Sequence, residues 1–298
     1  MKTFWNDFAP RALTVLRALL LCSVAVGAFA GTADLRSKYI ELREQLRHNG
    51  FQRPLHIESA ENGDSLRGDV YAVLPHPFAE VEEALKNPSD WCDILILPFN
   101  AKYCRAVPGN GGANLVTRIG RRADQPVQQA YRVDFALQPV AAGADYFESR
   151  LAAAQGPFGT HDYRIDVSAV PLDAGRTFLH LSYSYATGAA GRFAMQAYLV
   201  TAGAHKVGFT LAGRDGNGQP IFIGGVRGAI ERTAMRYYLA IDAELDARKV
   251  PPEQQLEKRL TTWFDAAERY PRQLHEMDRE SYLTMKRGES GRQQALVE

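Results

Sequence analysis

Cysteine is scarce in this chain, and what there is suits no metal. The three residues, Cys22, Cys92 and Cys104, form no Cys-x2-Cys pair. The seven histidines (His48, His56, His76, His161, His180, His205 and His275) form no His-x3-His pair. Those spacings speak against a zinc site, and no metal or cofactor is expected. Charge of one sign is also missing: 35 Lys and Arg stand against 34 Asp and Glu. Without a basic stripe, nucleic-acid binding is excluded. No Gly-x-Ser-x-Gly frames a nucleophile, and Pro108-Gly109-Asn110-Gly111-Gly112 lacks the Lys-Ser/Thr of a phosphate loop. No catalytic residue is assigned. Beyond Ala30 no apolar run approaches the ~20 residues that a spanning helix needs.

The first thirty residues are different. Lys2, Arg11 and Arg17 precede an apolar run from Ala18 that ends in Ala28-Phe29-Ala30. This is the pattern of a secretory signal peptide (residues 1–30) cut after Ala30, in preference to an uncleaved anchor, and it places the mature chain in an exported compartment such as a periplasm. The leader removes three basic residues and one acid, leaving 32 against 33. Cys22 leaves with it. The remaining pair, Cys92 and Cys104, is expected as a disulfide in an oxidising compartment.

The mature chain reads as helices flanking a run of strands. Leu35, Tyr39, Leu42 and Leu46 fall at helical spacing, closed by Asn49-Gly50. A hairpin follows, Pro54–Ser59 and Ser65–Leu74, with Asn62-Gly63 supplying the positive φ of the turn. Two short helices carry Phe78–Leu85 and Trp91–Leu97. From Asn100 to Gly213 the pattern is mostly period two, in which Val207, Phe209 and Leu211 close an antiparallel series. Gly191–Thr201 interrupts it as a short helix, either a lid or a packed connector. Pro220 opens the clearest helix, with Ile223, Val226, Ile230, Ala234, Tyr237, Ile241 and Leu245 at steps of three and four. A helix of ~25 residues at about 1.5 Å each spans ~38 Å, enough to cross a sheet. After Pro251-Pro252, Leu256 to Met285 form a further helical stripe.

This order of elements resembles the helix-grip fold of START-like lipid-transfer, polyketide cyclase-like (SRPBCC) and plant pathogenesis-related proteins. The text that carries the resemblance is Ser65–Leu74 running into Pro77–Leu85 and Trp91-Cys92-Asp93-Ile94-Leu95, together with the helix from Pro220 to Asp246. It implies an α+β domain over residues 31–248, a curved antiparallel sheet wrapped around the long C-terminal helix and enclosing an apolar cavity. Residues 249–298 fall outside the family pattern as a helical extension. The family has no universal catalytic motif.

Such a cavity makes the apolar faces candidate walls. On the strands these are Tyr131, Val133, Phe135, Tyr163, Ile165, Leu181, Tyr183, Tyr185 and Phe209; on the long helix they are Ile223, Val226, Ile230 and Tyr237, with Arg227 at its start as a charge for a polar end. Each of them fits a filled core equally well. Tyr183 and Tyr185 carry hydroxyls that want partners when buried. His180, Ser182 and Ser184 fall on the opposite parity, with Asp162, Arg164 and Asp166 on a neighbouring strand, and read as a solvent-facing surface. Gly224, Gly225 and Gly228 suit close approach of helix and sheet. The expectation is an exported binding or transfer protein for a hydrophobic small molecule, a lipid foremost, making transient membrane contact. A cyclase- or hydrolase-type enzyme using the same cavity is the first alternative. The second is an envelope interaction protein with a filled core, docking a protein partner through residues 253–286.

Overall fold

The computed structural model describes residues 31–109, 112–121, 125–201 and 203–295. The expected leader lies outside them. Helical residues 31–41 (α1) and Arg43–Arg47 (α2) lead into the hairpin β1 (Leu55–Asn62) and β2 (Ser65–Leu74). Asn62 pairs with Ser65, so the loop is the two residues Gly63 and Asp64; the positive φ, +61°, belongs to Gly63, one place later than the Asn62-Gly63 reading put the pair. Helices α3 (Phe78–Lys86) and α4 (Pro88–Leu95) follow, the second capped by Asn87 accepting from the Ser89 amide.

Six further strands then run consecutively: β3 (Ala101–Gly109), β4 (Gly112–Ile119), β5 (Tyr131–Ala142), β6 (Phe147–Gln155), β7 (Thr160–Asp173) and β8 (Arg176–Thr187). With β1 and β2 they form one antiparallel sheet of eight strands in the order β1-β2-β8-β7-β6-β5-β4-β3. After β8 come α5 (Ala189–Leu199), a small separate hairpin of β9 (Leu211–Arg214) and β10 (Pro220–Phe222), and the long helix α6 (Gly225–Ala247). Three more helices complete the chain: α7 (Pro252–Ala267), α8 (Pro271–Leu274) and α9 (Arg279–Ala295).

Two expectations are corrected here, for one reason. Val207, Phe209 and Leu211 do not add a strand to the main sheet, and the long helix starts at Gly225, not Pro220. The fully buried carboxylate of Glu231 on α6 accepts from the amides of Phe209 (2.7 Å) and Thr210 (2.9 Å), from the Thr210 hydroxyl (2.7 Å) and from Ser59 Oγ (2.7 Å). Those amides are taken from any ladder. In turn Ile223 is held extended, its amide donating to the Thr210 carbonyl at 2.9 Å and its carbonyl accepting from the Gly208 amide at 2.6 Å. The chain reverses into the helix at Gly225, whose φ is +60°.

Helix α6 approaches the sheet and its flanking loop through glycine. A Cβ on Gly68 would lie 3.1 Å from the Ile230 carbonyl oxygen, and one on Gly208 would lie 2.8 Å from the Gly228 Cα. Behind this contact the main core joins the inner face of the sheet to α3, α4, α6, α7, α8 and α9 through residues such as Val70, Leu85, Trp91, Leu181, Ile241, Leu260, Phe264 and Tyr282. The apolar residues of the C-terminal extension therefore lie against the domain. The outer face has a core of its own: Leu35, Leu42 and Leu46 of the N-terminal helices cover Tyr71, Val170 and Phe178. The polar parity of β8 is accordingly only partly solvated. Ser182 and Asp69 are buried, and His180 stacks on Tyr71 with its Nε2 2.8 Å from Asp69 Oδ1.

The disulfide Cys92–Cys104 ties α4 to β3, with a Cα separation of 5.1 Å across 12 residues of sequence. It is compatible with an exported protein.

Candidate ligand cavity

At one end of the sheet the core stops short of filling the space beneath α6. A cavity of about 640 Å3 remains between β5, β7 and β8 on one side and the first half of α6 on the other, with α5 over it. That volume falls within the roughly 300–1,000 Å3 of small-molecule sites. Tyr163, Tyr183, Tyr185 and Tyr237 form its aromatic wall: Tyr163 stacks on Tyr185 at 5.2 Å, and Tyr183 lies 5.5 Å from Tyr237 between ring centroids. At the rim Tyr131 packs on Phe158 at 5.1 Å, and the Arg121 guanidinium sits over both rings. Phe158 holds a φ of +59°, a conformation that non-glycine residues rarely adopt, so the rim is a strained turn.

The wall's hydroxyls are unevenly served. Tyr163 bonds to Thr160 Oγ1 at 2.7 Å. Those of Tyr183, Tyr185 and Tyr237 have no protein hydrogen-bond partner among the described residues. Burial pushes all three well above the ordinary phenol range, so each stays protonated and able to donate. Among the described residues the lining contains no Asp, Glu, His, Lys or Cys, and its charged members are Arg121, Arg232 and Arg236.

Seven of the fourteen residues read from the sequence as walls meet at this cavity: Tyr131, Val133, Phe135, Tyr163, Tyr183, Tyr185 and Tyr237. The other seven are elsewhere. Ile165, Leu181 and Ile230 are packed in the core. Phe209 packs on Phe51 and Tyr270, and Val226 lies at the edge of the core. Ile223 is in the extended segment before α6. Arg227 donates to Ser59 Oγ at 3.1 Å and to the Ser59 carbonyl at 2.8 Å. The reason is the face of α6. Its apolar stripe through Ile230, Ala234 and Ile241 packs into the core, whereas the cavity meets Ala229, Arg232, Thr233, Arg236 and Tyr237. These too recur at steps of three and four, a mixed polar stripe that an apolar template passes over. Arg232 and Arg236 were missed for that reason; Met195 and Tyr198 lie on α5, a segment not read as a cavity wall.

Helix α5 presents Gly191, Ala194, Met195, Ala197 and Tyr198 to the cavity, and leaves Phe193 and Val200 outside at 75% and 76% exposure. The segment is thus a helix that forms one wall of the cavity.

No known family's sequence profile matches the chain, and no curated protein matches it in sequence. Solved structures with a similar arrangement include a conserved protein from Geobacillus kaustophilus, at 13% identity over 60% of this chain and 95% of that one with a TM-score of 0.37. An aromatase/cyclase from Streptomyces sp. R1128 matches at 14% identity over 65% and 97%, TM-score 0.36. A norcoclaurine synthase from Thalictrum flavum, in complex with dopamine and hydroxybenzaldehyde, matches at 12% identity over 48% and 86%, TM-score 0.33. The fold is a helix grip. That statement stands on the strand order and on the helix lying across the sheet's inner face; likenesses at these scores carry no argument about activity.

Proposed function

We propose that the chain is an exported binding or transfer protein for a hydrophobic small molecule, a lipid or a comparable acyl or polycyclic compound, held between the sheet and α6. The observation that carries the reading is the aromatic cavity, at which the hydroxyls of Tyr183, Tyr185 and Tyr237 have no protein partner among the described residues. A filled core would have closed the space or satisfied those groups. Burying an apolar ligand there supplies about 25 cal/mol per Å2. The signal-peptide pattern and the disulfide support export. Phe193 and Val200 on the outer side of α5 support transient membrane contact while cargo exchanges.

Binding is favoured over catalysis because, among the described residues, the lining offers no ordinary general base. A partner docking on residues 253–286 would meet a surface whose main apolar residues, Leu260, Trp263, Phe264 and Tyr282, are already covered.

Native mass spectrometry of the mature protein purified from its exported compartment, followed by solvent extraction, tests the proposal. A discrete apolar compound leaving with the protein supports it. A clean apo mass together with no uptake from a mixed lipid suspension would overturn it.

A further inference from the structure

Resting on that reading, a second feature of the cavity narrows its ligand. Arg232 is only 2% exposed, yet no carboxylate lies within ion-pair distance among the described residues. Its guanidinium gives two hydrogen bonds, Nη1 to the Val207 carbonyl (3.3 Å) and Nη2 to the Tyr198 hydroxyl (3.1 Å), both to neutral oxygens. Three of its five N–H groups are left over. A buried guanidinium without a counter-ion is among the costliest groups a fold can carry.

One turn on, Arg236 repeats the situation in part. Its Nη2 donates to Glu276 Oε1 at 2.7 Å, but its Nε is buried with no partner. Glu276 is shared with Lys206 at 3.5 Å and lies outside the lining. Burial lowers the Arg236 pKa, and the neighbouring Arg232 charge adds to that. Two like charges thus face one cavity whose described lining has no acid. Beside them, the hydroxyls of Tyr183 and Tyr237 are free to donate. Donors without acceptors, and in Arg232 a cation with no anion among the described residues, converge on the same space.

We propose that this end of the cavity receives an anionic head group, a carboxylate or a phosphate, so that the ligand is an amphipathic anion with Arg232 as its principal counter-charge. The guanidinium fork matches two oxygens of either group, and the phenols complete the shell. Tyr198 sits on α5, so the Arg232–Tyr198 bond also links the head-group site to that helix.

The test compares three probes of one chain length, hexadecanoate, hexadecyl phosphate and methyl hexadecanoate, by displacement of the neutral dye Nile red from the full-length mature protein. Both anions are expected to bind at least about tenfold more tightly than the ester, the tighter one identifying the head group. Arg232→Met should erase the gap by weakening both anions far more than the ester. Equal binding of all three by the wild type overturns the proposal and leaves the apolar cavity standing. So does an Arg232→Met variant that retains the gap or weakens all three alike. Binding of none of them removes the cavity reading, and this proposal with it. Should Arg232→Met lose its folded circular-dichroism spectrum, the wild-type comparison and Arg232→Lys, which keeps the charge and should keep the gap, decide alone.

Discussion

The two halves of α6 pass through different chemistry. Its second half, from Tyr238 to Ala247, is almost wholly buried, and the polar groups around it have charged partners: Asp242 with Arg53 at 2.9 Å, and Glu244 with Arg259, which also reaches Asp93 at 3.0 Å. Nearby, Lys286 bonds to Glu289 Oε2 and to the Pro98 and Ala101 carbonyls, each at 2.8 Å, while Lys102 takes the other oxygen of Glu289 at 2.9 Å. The first half instead presents Arg232, Arg236 and Tyr237 to an open space with fewer partners than they have donors. The helix is one; what differs besides burial is whether its charged groups meet an opposite charge within the chain. Even at the closed end some atoms go without a hydrogen bond, among them Arg53 Nη1 and both ring nitrogens of His76; but the charges there face opposite charges, as Arg232 does not, and that separates support from reception.

The contrast can be broken most severely at the junction between the halves and the sheet. Glu231→Ala leaves the Phe209 and Thr210 amides and two hydroxyls without their acceptor. It should cost ~3–5 kcal/mol in urea unfolding and free the 205–211 segment in hydrogen exchange. Next comes the Cys92→Ser, Cys104→Ser double variant, which opens the loop between α4 and β3. It is expected to lose ~2–4 kcal/mol with the cavity's binding retained at low temperature.

A pH series sharpens the same comparison at the closed end. Burial pushes the Glu244 carboxyl up to about 7, against the pull of Arg259. Between its ordinary 4.5 and that value the folded chain holds a proton that the unfolded chain has released, so stability falls as pH rises through this window. Glu244→Gln should therefore gain on the wild type by ~1–3 kcal/mol between pH 4.5 and 7, read from urea midpoints.

Last and smallest is a matched pair of hydroxyl deletions. Tyr282→Phe removes a bond to the Leu97 carbonyl of 2.9 Å and should cost ~1–2 kcal/mol. Tyr183→Phe removes a hydroxyl with no partner and should change stability by less than about 0.5 kcal/mol. An equal loss in both would mean that Tyr183 is satisfied after all.

Most of the scaffold could be read without coordinates because local rules and tertiary packing agree there. The hairpin beside Gly63 and the alternation in β5, β7 and β8 each have a short-range cause. What failed was decided at long range. The segment from Val207 to Leu211 has a strand's spacing, but Glu231, some twenty residues on, captures its amides. Ile223 continues the stripe of α6, but pairing with Thr210 keeps it extended. In the cavity, strand alternation marked Tyr131, Val133, Phe135, Tyr163, Tyr183 and Tyr185. Apolar periodicity chose the wrong side of α6, because the helix turns its most apolar face to the packed core and a mixed one to the open space.

The disposition of α9 bears on association as well as on stability. Strand β3 ends the sheet, and an edge strand offers its free amides to any neighbouring chain. Here the Gln293 side chain from α9 accepts from the Cys104 amide at 2.7 Å, occupying a position that another strand would otherwise use. A chain shortened before α9 would expose that amide and uncover the core beneath Tyr282 together. It would present a hydrophobic, unpaired margin to its own copies, and the damage would spread by templating between molecules.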